Sequence, residues 1–101
     1  MAWKRILTLP GGLALHEVAV SKTSATDGKI TITAADCGLR DLDAAAILSV
    51  SGGYAWNDLA ITGDTVEFVL YQGDYDQTGD APLTPAGDKT VTVKLWAIGR
   101  G

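Results

Sequence analysis

The residues that could do chemistry in this chain are few and scattered. His16 is the only histidine and Cys37 the only cysteine among 101 residues. A Ser–His–Asp or Cys–His arrangement would have to pass through His16, because a base must lie within hydrogen-bond reach of its nucleophile. His16 stands beside Glu17 in a segment that reads as a strand, with no Gly-x-Ser-x-Gly elbow or other nucleophile motif to serve. Cys37 has no partner for an internal disulfide and no second cysteine for a zinc pattern. Its neighbours Ala35, Asp36 and Gly38 offer nothing that would lower a thiol pKa, so it reads as a small buried hydrophobe.

Acidic residues gather in the stretch 73–88. Counted from Asp74, a calcium loop would find Asp76 at position 3, Thr78 at position 5 and Gly79 at position 6. Position 12, where such a loop needs a bidentate Glu, is Pro85, and no helical pattern flanks the stretch. It reads as a solvated acidic loop. No carboxylate pair stands out for glycoside hydrolysis. Pro10-Gly11-Gly12 and Ser51-Gly52-Gly53 lack the spacing and the lysine of a phosphate loop. The sequence therefore assigns no catalytic residue, no cofactor and no metal ligand, and it predicts a protein that is not an enzyme.

The elements that would position any site are strands. Trp3–Leu9 forms a first strand closed by Pro10-Gly11-Gly12. In Leu13–Lys22 the apolar phase slips: Leu13 and Leu15 share one parity, Val18 and Val20 the other. The slip at His16-Glu17 predicts a bulge or bend. Thr26-Asp27-Gly28 is a hairpin-turn signal leading into Lys29–Thr33. Asp36–Ala46 has room for a helical turn or two. Ala45–Val50, Tyr54–Ile61, Asp64–Gln72 and Lys89–Ile98 alternate as strands, with Gly63-Asp64 turning between two of them. Seven strands at this spacing predict an all-β fold, a small antiparallel β-sandwich or barrel with at most one short helix, as a single domain over residues 1–101.

Charge and hydropathy narrow the partners. Ten Asp and two Glu against five Lys and three Arg give a net charge of −4, and Lys4-Arg5 is the only adjacent basic pair. A nucleic-acid surface needs clustered cations, so none is expected. No apolar run approaches the roughly 18 residues of a membrane span, and no signal peptide is visible, so the chain is expected to be made in a cytosol with no membrane partner.

What remains is a set of aromatics larger than a small core needs: Trp3, Trp56, Trp96, Tyr54, Tyr71 and Tyr75 beside a single Phe. Tyr and Trp favour interfaces, where one end of the ring can be dry and the other wet. In the last two long strands one parity carries Val66, Phe68 and Leu70, then Val91, Val93 and Leu95. The other parity, which should be wet, holds Val69, Tyr71, Trp96 and Ile98. The expected contact segments are therefore Trp3–Leu9 and Trp96–Ile98, with the acidic loop 73–88 as a second candidate, and the expected contact residues are Trp3, Arg5, Tyr54, Trp56, Val69, Tyr71, Tyr75, Trp96 and Ile98. The same aromatics, Trp56, Tyr54 and Tyr75 above all, would suit stacking on sugars.

The segments Gly28-Lys-Ile-Thr-Ile-Thr, Ala46-Ile-Leu-Ser-Val, Leu59-Ala-Ile-Thr-Gly-Asp-Thr-Val-Glu-Phe and Lys89-Thr-Val-Thr-Val-Lys-Leu-Trp-Ala together resemble small β-sandwich virion proteins of tailed bacteriophages, including head decoration (cement) proteins. The resemblance runs over residues 28–98 and lies in the style of the strands and turns, so it carries over no functional residue. It implies a structural protein synthesised in the host bacterial cytoplasm and placed on the capsid exterior. There it would bind the major capsid protein or another virion protein, clamping capsomers as a homo-oligomer, a trimer by preference, through apolar contacts and edge-strand pairing. The alternatives are a tail or head–tail connector component and a carbohydrate-binding module.

Overall fold

The computed structural model describes residues 3–73 and 83–101. Among the described residues eight strands run in chain order: β1 (Trp3–Leu9), β2 (Leu13–Thr23), β3 (Lys29–Thr33), β4 (Ala44–Val50), β5 (Ala55–Thr62), β6 (Thr65–Gln72), β7 (Thr84–Pro85) and β8 (Thr90–Arg100). They form two antiparallel sheets. One has the order β1-β2-β8-β4; the other has β3-β6-β5, with β7 also paired to β6. Among the described residues the only helical elements are three-residue 3-10 turns at Pro10–Gly12, Ala35–Cys37 and Ser51–Gly53.

The sheets face one another because each long strand alternates. Val66, Phe68 and Leu70 of β6 and Ile30 and Ile32 of β3 are fully buried, and so are Val93, Leu95 and Ala97 of β8. All belong to one apolar cluster, the core of a β-sandwich. Phe68 is the largest of these side chains, and truncating such a residue costs about 3–5 kcal/mol. Cys37 is buried in the same cluster, as its lone apolar reading required.

Two local expectations need correction. Asp27-Gly28 does turn the chain, with Gly28 at φ +85°, but it joins no hairpin. β2 pairs with β8 and β3 pairs with β6, so the turn carries the chain from one sheet to the other. His16-Glu17 carries no extra residue of its own; the register shift that His16 faces, between Arg5↔His16 and Leu7↔Leu15, is an extra residue in β1. β2 pairs with β8 without a break from Leu13↔Arg100 to Thr23↔Thr90. The phase slip instead records a change of face: Ala14, His16 and Val18 point into the core, which leaves Leu13 and Leu15 on the outside of the sheet.

The bulges lie on the edge strands, one on each of three. β1 shifts register between Arg5 and Leu7, β4 between Ile47 and Ser49, and β5 between Asn57 and Ala60. The remaining edge is made by β3 and by the two-residue β7. Bulged or short edges are poor templates for adding another strand. Edge-strand pairing between intact copies is thus not what this fold offers, and contacts must be sought on its faces.

Candidate functional site

The outer face of the four-stranded sheet carries an apolar row that crosses all four strands. Directly opposed residues of neighbouring antiparallel strands share a face. Leu7 of β1 lies opposite Leu15 of β2, which lies opposite Ile98 of β8, which lies opposite Ala44 of β4. The next row reads Lys4, Glu17, Trp96 and Ala46. Leu9 and Leu13 pair at the hairpin end of the same face. Ala44 and Ala46 are small, so the taller Leu15, Trp96 and Ile98 stand around them and leave a shallow depression of about 220 Å³, with Ala45 also at its edge.

This face is exposed. Trp96 keeps 46% of its surface in water and Leu7 keeps 52%. Fully burying a large apolar side chain stabilises by about 1.5–3 kcal/mol, so covering the open half of each contributes about 1 kcal/mol apiece. The rim is polar. Lys4 Nζ lies 3.4 Å from Glu17 Oε2, and Arg100 Nε lies 3.7 Å from Asp41 Oδ2. Lys94, two residues before Trp96, shares the face. A dry centre inside a charged rim is the anatomy of a protein contact.

The other expected contact residues divide between different surfaces. Val69 and Tyr71 lie on the outer face of the second sheet, half-buried, on the far side of the sandwich from Trp96 and Ile98. There the Tyr71 hydroxyl donates to Asp58 Oδ2 at 2.8 Å, and that bond above all raises its pKa. Trp56 lies opposite the buried Leu70 and Ile61 opposite the buried Val66. Both therefore point inward on β5, yet each is 38% exposed, because this edge overhangs the core. Tyr54 is half-buried and packs against the core. Neither Tyr54 nor Trp56 is displayed on an outer sheet face. Tyr75, and the acidic residues Asp74, Asp76 and Asp80, lie outside the described residues.

Trp3 and Arg5 serve the interior. The Trp3 indole stacks on the imidazole of His16 with ring centres 4.5 Å apart and planes 2° from parallel. His16 is fully buried, with Nδ1 at 2.8 Å from the Cys37 carbonyl oxygen. A carbonyl only accepts, so Nδ1 carries the proton, and Nε2 accepts from Arg5 Nε at 3.2 Å. Both ring nitrogens are occupied, and the imidazole acts as a structural bracket. The indole fits because residue 38 is glycine. At φ +71°, a Cβ there would fall inside the Trp3 ring.

No chemistry gathers around Cys37. Burial, with the Asp36 carboxylate adding to it, pushes the thiol up to about 11. Asp36 and Thr33 instead form a reciprocal cap: Thr33 N–H donates to Asp36 Oδ2 at 2.9 Å, and Asp36 N–H to Thr33 Oγ1 at 3.1 Å. Among the described residues no three His, Cys, Asp or Glu side chains gather in a way that could hold a metal ion. No helix among them is long and apolar enough to cross a membrane.

Fold and surface together define a small all-β sandwich with an apolar, charge-rimmed outer face. The chain matches no family model, no curated protein and no solved structure.

Sequence reasoning found Trp96 and Ile98 of this face and the first-strand segment that contains Leu7, but missed Leu15, Ala44 and Ala46. The signal was present in the parity of Leu13 and Leu15, which are out of phase with Val18 and Val20. An apolar pair out of phase in an otherwise regular strand marks an apolar outer face as readily as a bulge.

Proposed function

We propose that this chain is a non-enzymatic structural protein that associates with other protein subunits through the outer face of its β1-β2-β8-β4 sheet. The observation that carries the reading is the Leu7–Leu15–Ile98–Ala44 row with Trp96 beside it. A monomer with no partner has no use for half-exposed Trp and Leu side chains in one contiguous, rimmed patch. Bulged edges direct association to this face.

The sequence resemblance over residues 28–98 supplies the finer reading. The chain is a virion protein of the tailed-phage type, acting as a capsid decoration protein on the outside of the head, where copies associate as trimers and bridge capsomers. An external position suits the net charge of −4, since a surface facing packaged DNA would favour cations. Retention on purified phage shells lacking their decoration protein tests this reading. Wild-type chain should co-sediment with the shells, and Trp96→Lys should not. Glycan binding that vanishes in Trp56→Ala, with no retention on shells, would overturn it in favour of a carbohydrate-binding module.

A further inference from the structure

We propose that β1 is an exchangeable strand, and that two copies of this chain can each place their β1 on the β2 of the other. Exchange is a different contact from association through the outer-face patch, although β1 lends that patch Leu7 and Lys4, and either can fail alone. Among the described residues β1 pairs with β2 only, its register is interrupted at Ile6, and Lys4 through Thr8 are all exposed. By contrast its seat is built for it. The indole of Trp3 lies in a slot between the His16 ring and the backbone of Gly38, which has no side chain to block it. Arg5 adds one directed hydrogen bond to His16 Nε2. The ladder to β2 runs the length of β1, but the side-chain anchors gather at its start, and an edge element held in this way opens at a fraction of the global stability.

The connection to β2 favours exchange over simple fraying. Pro10–Gly12 is a tight three-residue turn in which Gly11 and Gly12 both have positive φ, at +82° and +81°. Short, constrained hinges invite domain swapping, because extending them releases the turn while every other contact is remade with a second copy. Extending this one would join β1 and β2 into a single long strand from Trp3 to Thr23. The partner's slot accepts Trp3 and Arg5 identically, since it is the same chain. The occupant is therefore a second copy of this protein.

Two single-cysteine chains, both carrying Cys37→Ala, test the exchange. One carries Lys4→Cys and the other Glu17→Cys. These residues are directly opposed between β1 and β2, within the Cα separation a disulfide requires. Mixed at high protein concentration in a glutathione redox buffer, the two chains should form a disulfide-linked heterodimer, identified by intact mass, whose yield rises with concentration. Pairing Lys4→Cys with Ser21→Cys, four residues further along β2, should give almost none. Because Trp3 finds the same slot in the closed and exchanged forms, adding Trp3→Ala to the Lys4→Cys chain should leave the final yield unchanged and speed the approach to it several-fold, with circular dichroism confirming that the chain remains folded. Adding Trp96→Lys should leave the yield unchanged, which separates exchange from association through the outer face. A heterodimer yield no higher than that of the Ser21→Cys control, from chains shown to be folded, would overturn the proposal. So would a rate of heterodimer formation indifferent to Trp3→Ala.

Discussion

Replacing Gly38 by Ala should destabilise this protein strongly, although the residue lies outside its apolar core. Two costs add. Gly38 has φ +71°, and holding a residue with a Cβ there costs about 1 kcal/mol. The new methyl also falls within the Trp3 indole, which must leave its place on His16. Losing the stack costs about 1 kcal/mol, and returning a half-buried Trp to water costs about 1–2 kcal/mol more. The sum is about 3–4 kcal/mol, against a total of about 5–15 kcal/mol for a domain. For a chain near 100 residues that lowers Tm by about 15–25 °C. Urea unfolding followed by far-ultraviolet circular dichroism measures it directly. Gly38→Asn separates the two costs, because Asn tolerates the left-handed conformation yet still brings a Cβ; it should lose nearly as much. In a Trp3→Ala background, Gly38→Ala should cost only about 1 kcal/mol, the backbone term. A loss under about 1 kcal/mol in the wild-type background, or an equal loss with and without Trp3, would refute the slot between His16 and Gly38.

Asp36 should confer pH-dependent stability. Partial burial works against its charge, but the Lys22 ammonium at 2.7 Å and the Thr33 hydrogen bonds outweigh it and hold the carboxyl below its ordinary 3.8. A depressed carboxylate pKa stabilises above the unfolded value and ceases to do so as pH falls through the folded one. Asp36→Asn should therefore lose about 1 kcal/mol at neutral pH in urea unfolding, with the difference from wild type closing below about pH 4; a constant difference down to pH 2 would contradict the assignment. The Cys37 thiol, buried and raised to about 11, should resist iodoacetamide at pH 8 in the native state and react within minutes in urea. Rapid native labelling would show that its cover over the core is not as described.

Much of the fold was legible because period-two alternation is strict where both strand neighbours are fixed. Val66, Phe68 and Leu70, or Val91, Val93 and Leu95, could be assigned to the core from parity alone. Pairing partners were not legible. Asp27-Gly28 has the chemistry of a hairpin turn, and only long-range register shows that β2 and β3 separate into different sheets. The apolar face was half legible. Trp96 announced itself on the wet parity of β8, but its neighbours Leu7, Leu15, Ala44 and Ala46 come from three other strands, and sequence cannot place them in one row. Grouping Val69 and Tyr71 with Trp96 and Ile98 was natural from parity, yet β6 and β8 belong to opposite sheets, so the two pairs point away from each other. Trp3 looked like an interface residue because nothing in its own segment reveals that Gly38 and His16 make a slot for it.

The outer face is best tested by sedimentation velocity on freshly isolated monomer, before any slow exchange of β1. Wild-type chain should associate reversibly to a trimer as concentration rises, and Trp96→Lys, which removes the tallest exposed ring of the patch and pairs a cation with Glu17 across the strands, should remain monomeric with an unchanged fold. A wild-type chain that stays monomeric at every concentration, or a Trp96→Lys chain that associates as tightly as wild type, would contradict the account.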